Sequence, residues 1–311
     1  MQPFTQKNIL QTPLLFIVFN RPESTRKVFE AIRLAKPLRL YVAADGPRAQ
    51  VQSDAEKCKQ VRQIITEVDW DCEVKTLFRD ENMNCGVAPS TAFTWFFEHE
   101  EEGIILEDDC LPTQSFFWFC QELLERYRED MRVMHIGGNN FLNDQKKEND
   151  YSYYFSQSGH IWGWATWRRA WKMFDYKIQL YNKLKSKNYF NAFFINALEK
   201  TYRLRKFDKT IEISNSKSVD WWDYQWDFAR YAQSGLSIVP NKNLVTNIGF
   251  GAGATHTQNT ESKSATMKAL DIDFPLVHPP FMIRDIASDK RYFKNLIQDA
   301  LLSKLKVSIA N

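Results

Sequence analysis

The chain has 311 residues, 44% hydrophobic and 25% charged, a balance that excludes a largely disordered protein and permits a large core. Lys and Arg number 41 against 38 Asp and Glu, and the formal charge of +3 is too small for a protein built mainly to bind nucleic acid. The length suggests about two domains, although α/β folds often use it in one body.

Leu14 to Phe19 is a continuous apolar run, which predicts a strand covered on both faces. Asn20, Arg21 and Pro22 end it, and Pro22 suits the first turn of a helix with Val28, Phe29, Ile32 and Ala35 on its apolar face. Residues 38–43 predict a second strand, closed by Asp45-Gly46-Pro47; a helix near 54–68 and a third strand at about 73–78 follow. A polar loop from Asn82 to Ala88 leads into a helix at about 89–99 and a fourth strand, Gly103 to Leu106, which runs straight into Glu107-Asp108-Asp109. This repeated order predicts an α/β fold with a mainly parallel central sheet flanked by helices, in a single continuous body.

The second half is less regular. It predicts a helix at 115–128, strands at 132–136 and 152–156, a helix at 166–174, and a helix opened by Asp220-Trp221-Trp222-Asp223 and running to about 233. Residues 181–218 are polar, with an apolar helical face at Phe190, Phe193, Phe194, Ala197 and Leu198. A strand at 236–239 precedes a glycine-rich segment, Ile248 to His256, and a basic amphipathic helix closes the chain from about 290.

Ligands of parallel sheets bind beyond the carboxyl ends of the strands. Those ends carry Asn20-Arg21, Asp45-Gly46 and Glu107-Asp108-Asp109, so three polar groups converge on one crevice. Three successive carboxylates repel one another, and a divalent cation such as Mn2+ or Mg2+ offsets that repulsion while bridging to a diphosphate. The alternative is a solvated acidic turn with Asp109 capping a helix. Asp45 is either an ordinary turn residue or an acceptor for a nucleobase N–H. Asn20 and Arg21 either cap the first helix or, through the guanidinium, bind a base or phosphate. Asp223 lies among tryptophans, where it is either a favourable first-turn acid or a general base, with Asp227 and Asp220 behind it. The segment up to His256 is either a surface loop or a cover for phosphates. Trp162, Trp164, Trp167 and Trp171 are either core or a binding wall, and the glycines among them favour a wall.

No GxxxxGK[ST], GxSxG or HExxH occurs. The first strand is not followed by a glycine-rich loop, which counts against a dinucleotide site and against sugar-phosphate nucleotidyltransferases. The five cysteines form no CxxC pair, and no apolar run reaches the length of a membrane span. With no signal-peptide layout at the N-terminus, a cytoplasmic protein with free thiols is the expectation.

These motifs, in this order, resemble the GT-A (Rossmann-like) nucleotide-sugar glycosyltransferases, most closely the N-acetylglucosaminyltransferase I family and related bacterial nucleotide-diphospho-sugar transferases. The matching segments are Phe19-Asn20-Arg21, Asp45 in Ala-Ala-Asp-Gly, Leu106-Glu107-Asp108-Asp109, Ile161-Trp162-Gly163-Trp164, Trp221-Trp222-Asp223 and Phe250 to His256, covering roughly residues 13–257. After Asp223 the family has a second Asp where this chain has Tyr224, and the last glycine before His256 is spaced differently. The resemblance implies that Asp109 binds the metal and that Asp45 reads uracil. It makes Asn20, Arg21, Glu107, Asp108 and His256 donor-binding residues and Asp223 the base. Trp162, Trp164 and Trp222 would line the acceptor site.

The implied organisation is a nucleotide-sugar-binding half at 1–112, an acceptor-binding and catalytic half at 113–282, and a helical tail at 283–311. The implied activity is inverting, metal-dependent transfer from a nucleoside-diphosphate sugar, with UDP-N-acetylglucosamine one candidate donor, to a glycan or lipid-linked saccharide. Polysaccharide biosynthesis is the expected setting, and the basic C-terminal helix is a candidate peripheral membrane contact. A sugar-phosphate nucleotidyltransferase and a non-catalytic carbohydrate-binding module are the alternatives.

Overall fold

The structure, a computed structural model, describes residues 9–142, 150–215, 219–250 and 266–310. The first half alternates β1 (Leu14–Val18), α1 (Pro22–Ala35), β2 (Arg39–Ala44), α2 (Gln52–Ile65), β3 (Glu73–Phe78), α3 (Asn84–His99) and β4 (Glu102–Glu107). After a short β5 (Cys110–Pro112) come α4 (Gln114–Arg126), β6 (Val133–Gly137), β7 (Tyr153–Ser156), β8 (Trp164–Trp167) and α5 (Arg168–Trp171). Then follow α6 (Tyr181–Ser186), α7 (Ala197–Ser214), α8 (Asp223–Ala232), β9 (Leu236–Pro240), β10 (Val245–Asn247) and α9 (Ile286–Ala310).

Among the described residues eight strands form one sheet in the order β3-β2-β1-β4-β8-β6-β9-β7, and β5 pairs with β10 in a second, two-stranded sheet. The first four strands are parallel, and β8 is antiparallel to both β4 and β6. The molecule is thus a mixed α/β, Rossmann-like body with a mostly parallel sheet. Strands β1 to β4 are apolar on both faces except β3, whose residues alternate at an edge.

Alternation of side chains divides the core. Leu14, Phe16, Val18, Leu40, Val42, Ile104 and Leu106 face α1, α2 and α4. Leu15, Tyr41, Ala43 and Ile105 face α3, α5 and α8 with Trp164, Trp171, Trp222 and Trp226. Phe93 of α3 sits at the centre of this second layer, its ring 4.6 Å from Trp222, 5.1 Å from Trp171 and 5.3 Å from Trp164. Phe93→Ala leaves a void among rigid rings that cannot collapse, and a loss of about 3–5 kcal/mol in urea unfolding is expected.

Three local expectations change. The helix expected from residue 89 starts at Asn84, because the Asn84 side chain accepts from the Gly86 and Val87 amides at 3.0 and 3.1 Å and so caps an earlier turn. The helix expected at 166–174 shortens to α5 (Arg168–Trp171), since Trp164 to Trp167 pair with Glu102 to Ile105 and gain a fully buried place in the sheet. The final helix starts at Ile286 rather than 290, where the Asp285 carboxylate accepts from the Ser288 amide and hydroxyl at 2.8 Å.

Candidate functional site

The strand order reverses between β1 and β4: α1, which follows β1, and α3, which leads into β4, pack on opposite faces of the sheet, and a crevice opens beyond such a switch point. Arg21 follows β1, and Asp108 and Asp109 follow β4. The Arg21 guanidinium lies 2.7 Å from Asp109 Oδ2 and 3.4 Å from Asp108 Oδ1. The Phe19 amide donates to Asp108 Oδ2 at 3.1 Å, locking the two strand ends together. Burial works against the charge on Arg21, but Asp108, Asp109 and Glu107 outweigh it and hold the guanidinium ionised.

The acids are less well served. Burial first, then Asp109 and Asp108, push the Glu107 carboxyl well above the usual carboxylate range; Asp223 adds to the same shift from α8. Burial and Asp109 likewise raise Asp108, against the pull of Arg21. Burial and then Asp227 raise Asp223 to about 6. One guanidinium therefore under-compensates a group of carboxylates that includes Asp223. The sequence separates Asp223 from the triplet, and the fold brings it within reach of their fields.

No cluster of three or more His, Cys, Asp or Glu side chains forms a ready-made metal cage among the described residues. The donor set fits a different kind of site. A hard divalent cation commonly takes one or two carboxylates and completes its shell with water and substrate phosphate. Asp109, with Asp108 and Glu107 beside it, offers such a partial shell, and the raised carboxyls mark the excess negative charge that a cation would relieve.

The other strand ends are held by bonds within the chain. The Asp45 carboxylate accepts from the Met83 amide at 3.1 Å, the Asn82 side chain at 2.9 Å and its own following amide, that of Gly46, at 3.0 Å. Both oxygens are thereby engaged, and Asp45 ties the end of β2 to the entry of α3. The turn alternative raised for this residue matches those bonds. Asn20 donates to Asp54 at 2.8 Å, and Asp54 also receives the Arg48 guanidinium at 2.6 Å, which lowers its pKa. Arg48 in turn lies 5.5 Å from the Phe19 ring centroid. Neither Arg48 nor Asp54 stood out in the sequence, because both lie outside any strand end or motif and meet Asn20 only through the fold.

Strand β10 delivers Ile248 and Gly249 to the same place. The Ile248 amide donates to the Asp109 carbonyl at 2.7 Å, and a Cβ on Gly249 would come within 2.2 Å of Asp109 Oδ2. Gly249→Ala must therefore displace the Asp109 carboxylate. If the site takes a nucleotide with Mn2+, that binding is expected to weaken at least roughly tenfold by calorimetric titration, with little change in the fold. The chain then passes to Phe250, whose ring meets Trp162 edge-on at 5.7 Å. His256 lies outside the described residues.

Trp162 is partly buried at this rim. Trp164 and Trp222 are corrections: Trp164 has no exposed surface, Trp222 is almost as buried, and their stacked rings lie 5.5 Å apart. They form the floor behind the crevice rather than a wall facing an acceptor. Gly163 makes this turn possible, with φ of +66° and its carbonyl accepting from Gly138 at 2.8 Å.

No protein-family model and no curated protein sequence matches the chain. Solved structures similar to parts of it include the following three. HddC from Yersinia pseudotuberculosis is 8% identical, with 50% of this chain and 77% of that chain covered and a TM-score of 0.30. A UDP-glucose pyrophosphorylase complexed with UDP-glucose is 13% identical, covering 47% and 62%, with a TM-score of 0.25. The 4-diphosphocytidyl-2C-methyl-D-erythritol synthase from Anaerococcus prevotii is 6% identical, covering 72% and 99%, with a TM-score of 0.32.

Proposed function

We propose that the protein is a metal-dependent inverting glycosyltransferase that takes a sugar from a nucleoside diphosphate to a saccharide hydroxyl. The carrying observation is the group of buried and half-buried, under-neutralised carboxylates at the switch point, with Asp223 acting on Glu107 from a separate helix. A diphosphate donor fits a crevice that holds Arg21 and partial cation ligands together. Asp223, raised to about 6, is a carboxylate at neutral pH yet basic enough to receive a hydroxyl proton.

In this reading Arg21 orients the donor, and Glu107 and Asp108 contact its ribose or sugar. Asp109 would hold Mn2+ or Mg2+, which when bound would supply positive charge for the departing diphosphate. Asp223 takes the proton from the acceptor hydroxyl as its oxygen bonds to the anomeric carbon. The bond from that carbon to the diphosphate oxygen breaks on the opposite face. Trp162 offers the indole surface at the rim. A uridine donor is the preference on resemblance.

A thermal-shift panel of nucleoside diphosphates and their sugars, with and without Mn2+, tests the reading. Stabilisation by a uridine compound that requires the metal supports it; no response to any nucleotide sinks it. Product analysis separates the remaining enzyme class, because a transferase releases nucleoside diphosphate and a nucleotidyltransferase releases pyrophosphate.

A further inference from the structure

The outermost strand of the main sheet, β7, is covered by residues 277–285. The Ser152 amide donates to the Val277 carbonyl at 2.8 Å, and the Asp285 amide donates to the Phe155 carbonyl at 2.7 Å. Arg284 forms a parallel bridge with Phe155. Met282 packs on the main core, and Arg284 turns in to Asp289 and to the Phe193 carbonyl. Phe281 and Ile283, between and beside them, are instead 46% and 70% exposed. Val277 and Ile286 at the ends are 49% and 50% exposed.

The outward row of an edge segment is normally polar, which prevents unwanted pairing. Here it is apolar, and Pro279 and Pro280 stiffen it. The row continues into α9, where Ile286, Lys290 and Lys294 recur at four-residue spacing on one exposed face. The two acids of this stretch make their bonds within it and at the end of β7. Asp285 accepts from Ser288, and Asp289 is buried against Ser156, Gln157 and Arg284. Apolar tips and basic groups therefore share one strip.

We infer that this strip rests on an anionic lipid bilayer. Phe281, Ile283 and Ile286 enter the headgroup region, while Lys290 and Lys294 meet lipid phosphate. Stable attachment to a membrane surface takes two signals, and the strip supplies an apolar and a basic one. A second copy of the chain fits less well, because a two-fold contact pairs the strip with itself and brings two sets of the same lysines into one interface. The inference does not depend on the proposed transferase activity. Among the described residues no helix is long and apolar enough to cross a membrane, so this contact is one made from the surface.

Co-sedimentation of the full chain with vesicles of phosphatidylcholine, with or without phosphatidylglycerol, tests it. Binding to the phosphatidylglycerol vesicles is expected, and it should weaken with added salt. Ile283→Asp and the pair Lys290→Glu with Lys294→Glu should each lower vesicle affinity by about tenfold or more. Because these side chains are exposed, the thermal midpoint of each variant should match that of the parent. Absence of binding overturns the inference, as does undiminished binding by Ile283→Asp. A dimer in analytical ultracentrifugation that Ile283→Asp converts to monomer also overturns it and assigns the strip to a second copy.

Discussion

Asp109→Ala should abolish metal-dependent binding of a nucleoside diphosphate, with affinity falling on the order of 100-fold or more. The carboxylate stands 2.7 Å from Arg21 and against Gly249, so it is held where three segments of the chain meet. Removing it takes away the carboxylate proposed to hold the cation and leaves Arg21 paired with Asp108 alone. Calorimetric titration of UDP with and without Mn2+ measures the effect. A variant that keeps its metal-dependent affinity would show that Asp109 is only the acid of a structural ion pair. Retained glycan binding with no nucleotide response in the parent would favour a carbohydrate-binding module.

Asp223→Asn should separate chemistry from binding. A general base contributes about 10²–10⁴-fold, so transfer is expected to fall by that factor while donor affinity stays within a few-fold. The parent rate should rise with pH through about 6, because Asp223 must be ionised to accept a proton and its pKa is raised to about 6. The same shift has a consequence for stability. Below the unfolded value of 3.8 the group is protonated in both states, and no difference remains. Above about 6 the folded protein carries a half-buried carboxylate that the unfolded chain holds at less cost. Asp223→Asn should therefore be more stable than the parent at pH 8, by about 1–3 kcal/mol, and lose that advantage near pH 4. An inactive variant with a lower melting temperature at pH 8 would point to a structural role instead.

How much of this was legible depended on the range of the interactions. The strands β1, β2 and β4 announce themselves, because a strand covered on both faces must be apolar throughout. The polar residues that end them then mark the sheet's carboxyl edge. β8 did not announce itself: Trp164 to Trp167 carry no alternation, and their pairing with β4 and β6 is set by partners about 30–60 residues away. The tryptophans misled for a related reason. An indole serves as floor or wall equally well, and only the contact of Trp164 with Phe93 and Trp222 decides for the floor.

By itself, the sequence determined a soluble-type composition, the alternating α/β half and the acidic triplet at a strand end, since each follows from local pattern and backbone preference. The tertiary structure alone decided that Arg21 faces Asp109, that Gly249 closes on the same carboxylate and that Asp223 shares the field of Glu107. It alone also turned Phe281 and Ile283 outward over β7. The physical reason is common to all four. Burial and charge coupling depend on distance in space, and residues 21, 109, 223 and 249 become neighbours only when the sheet has formed.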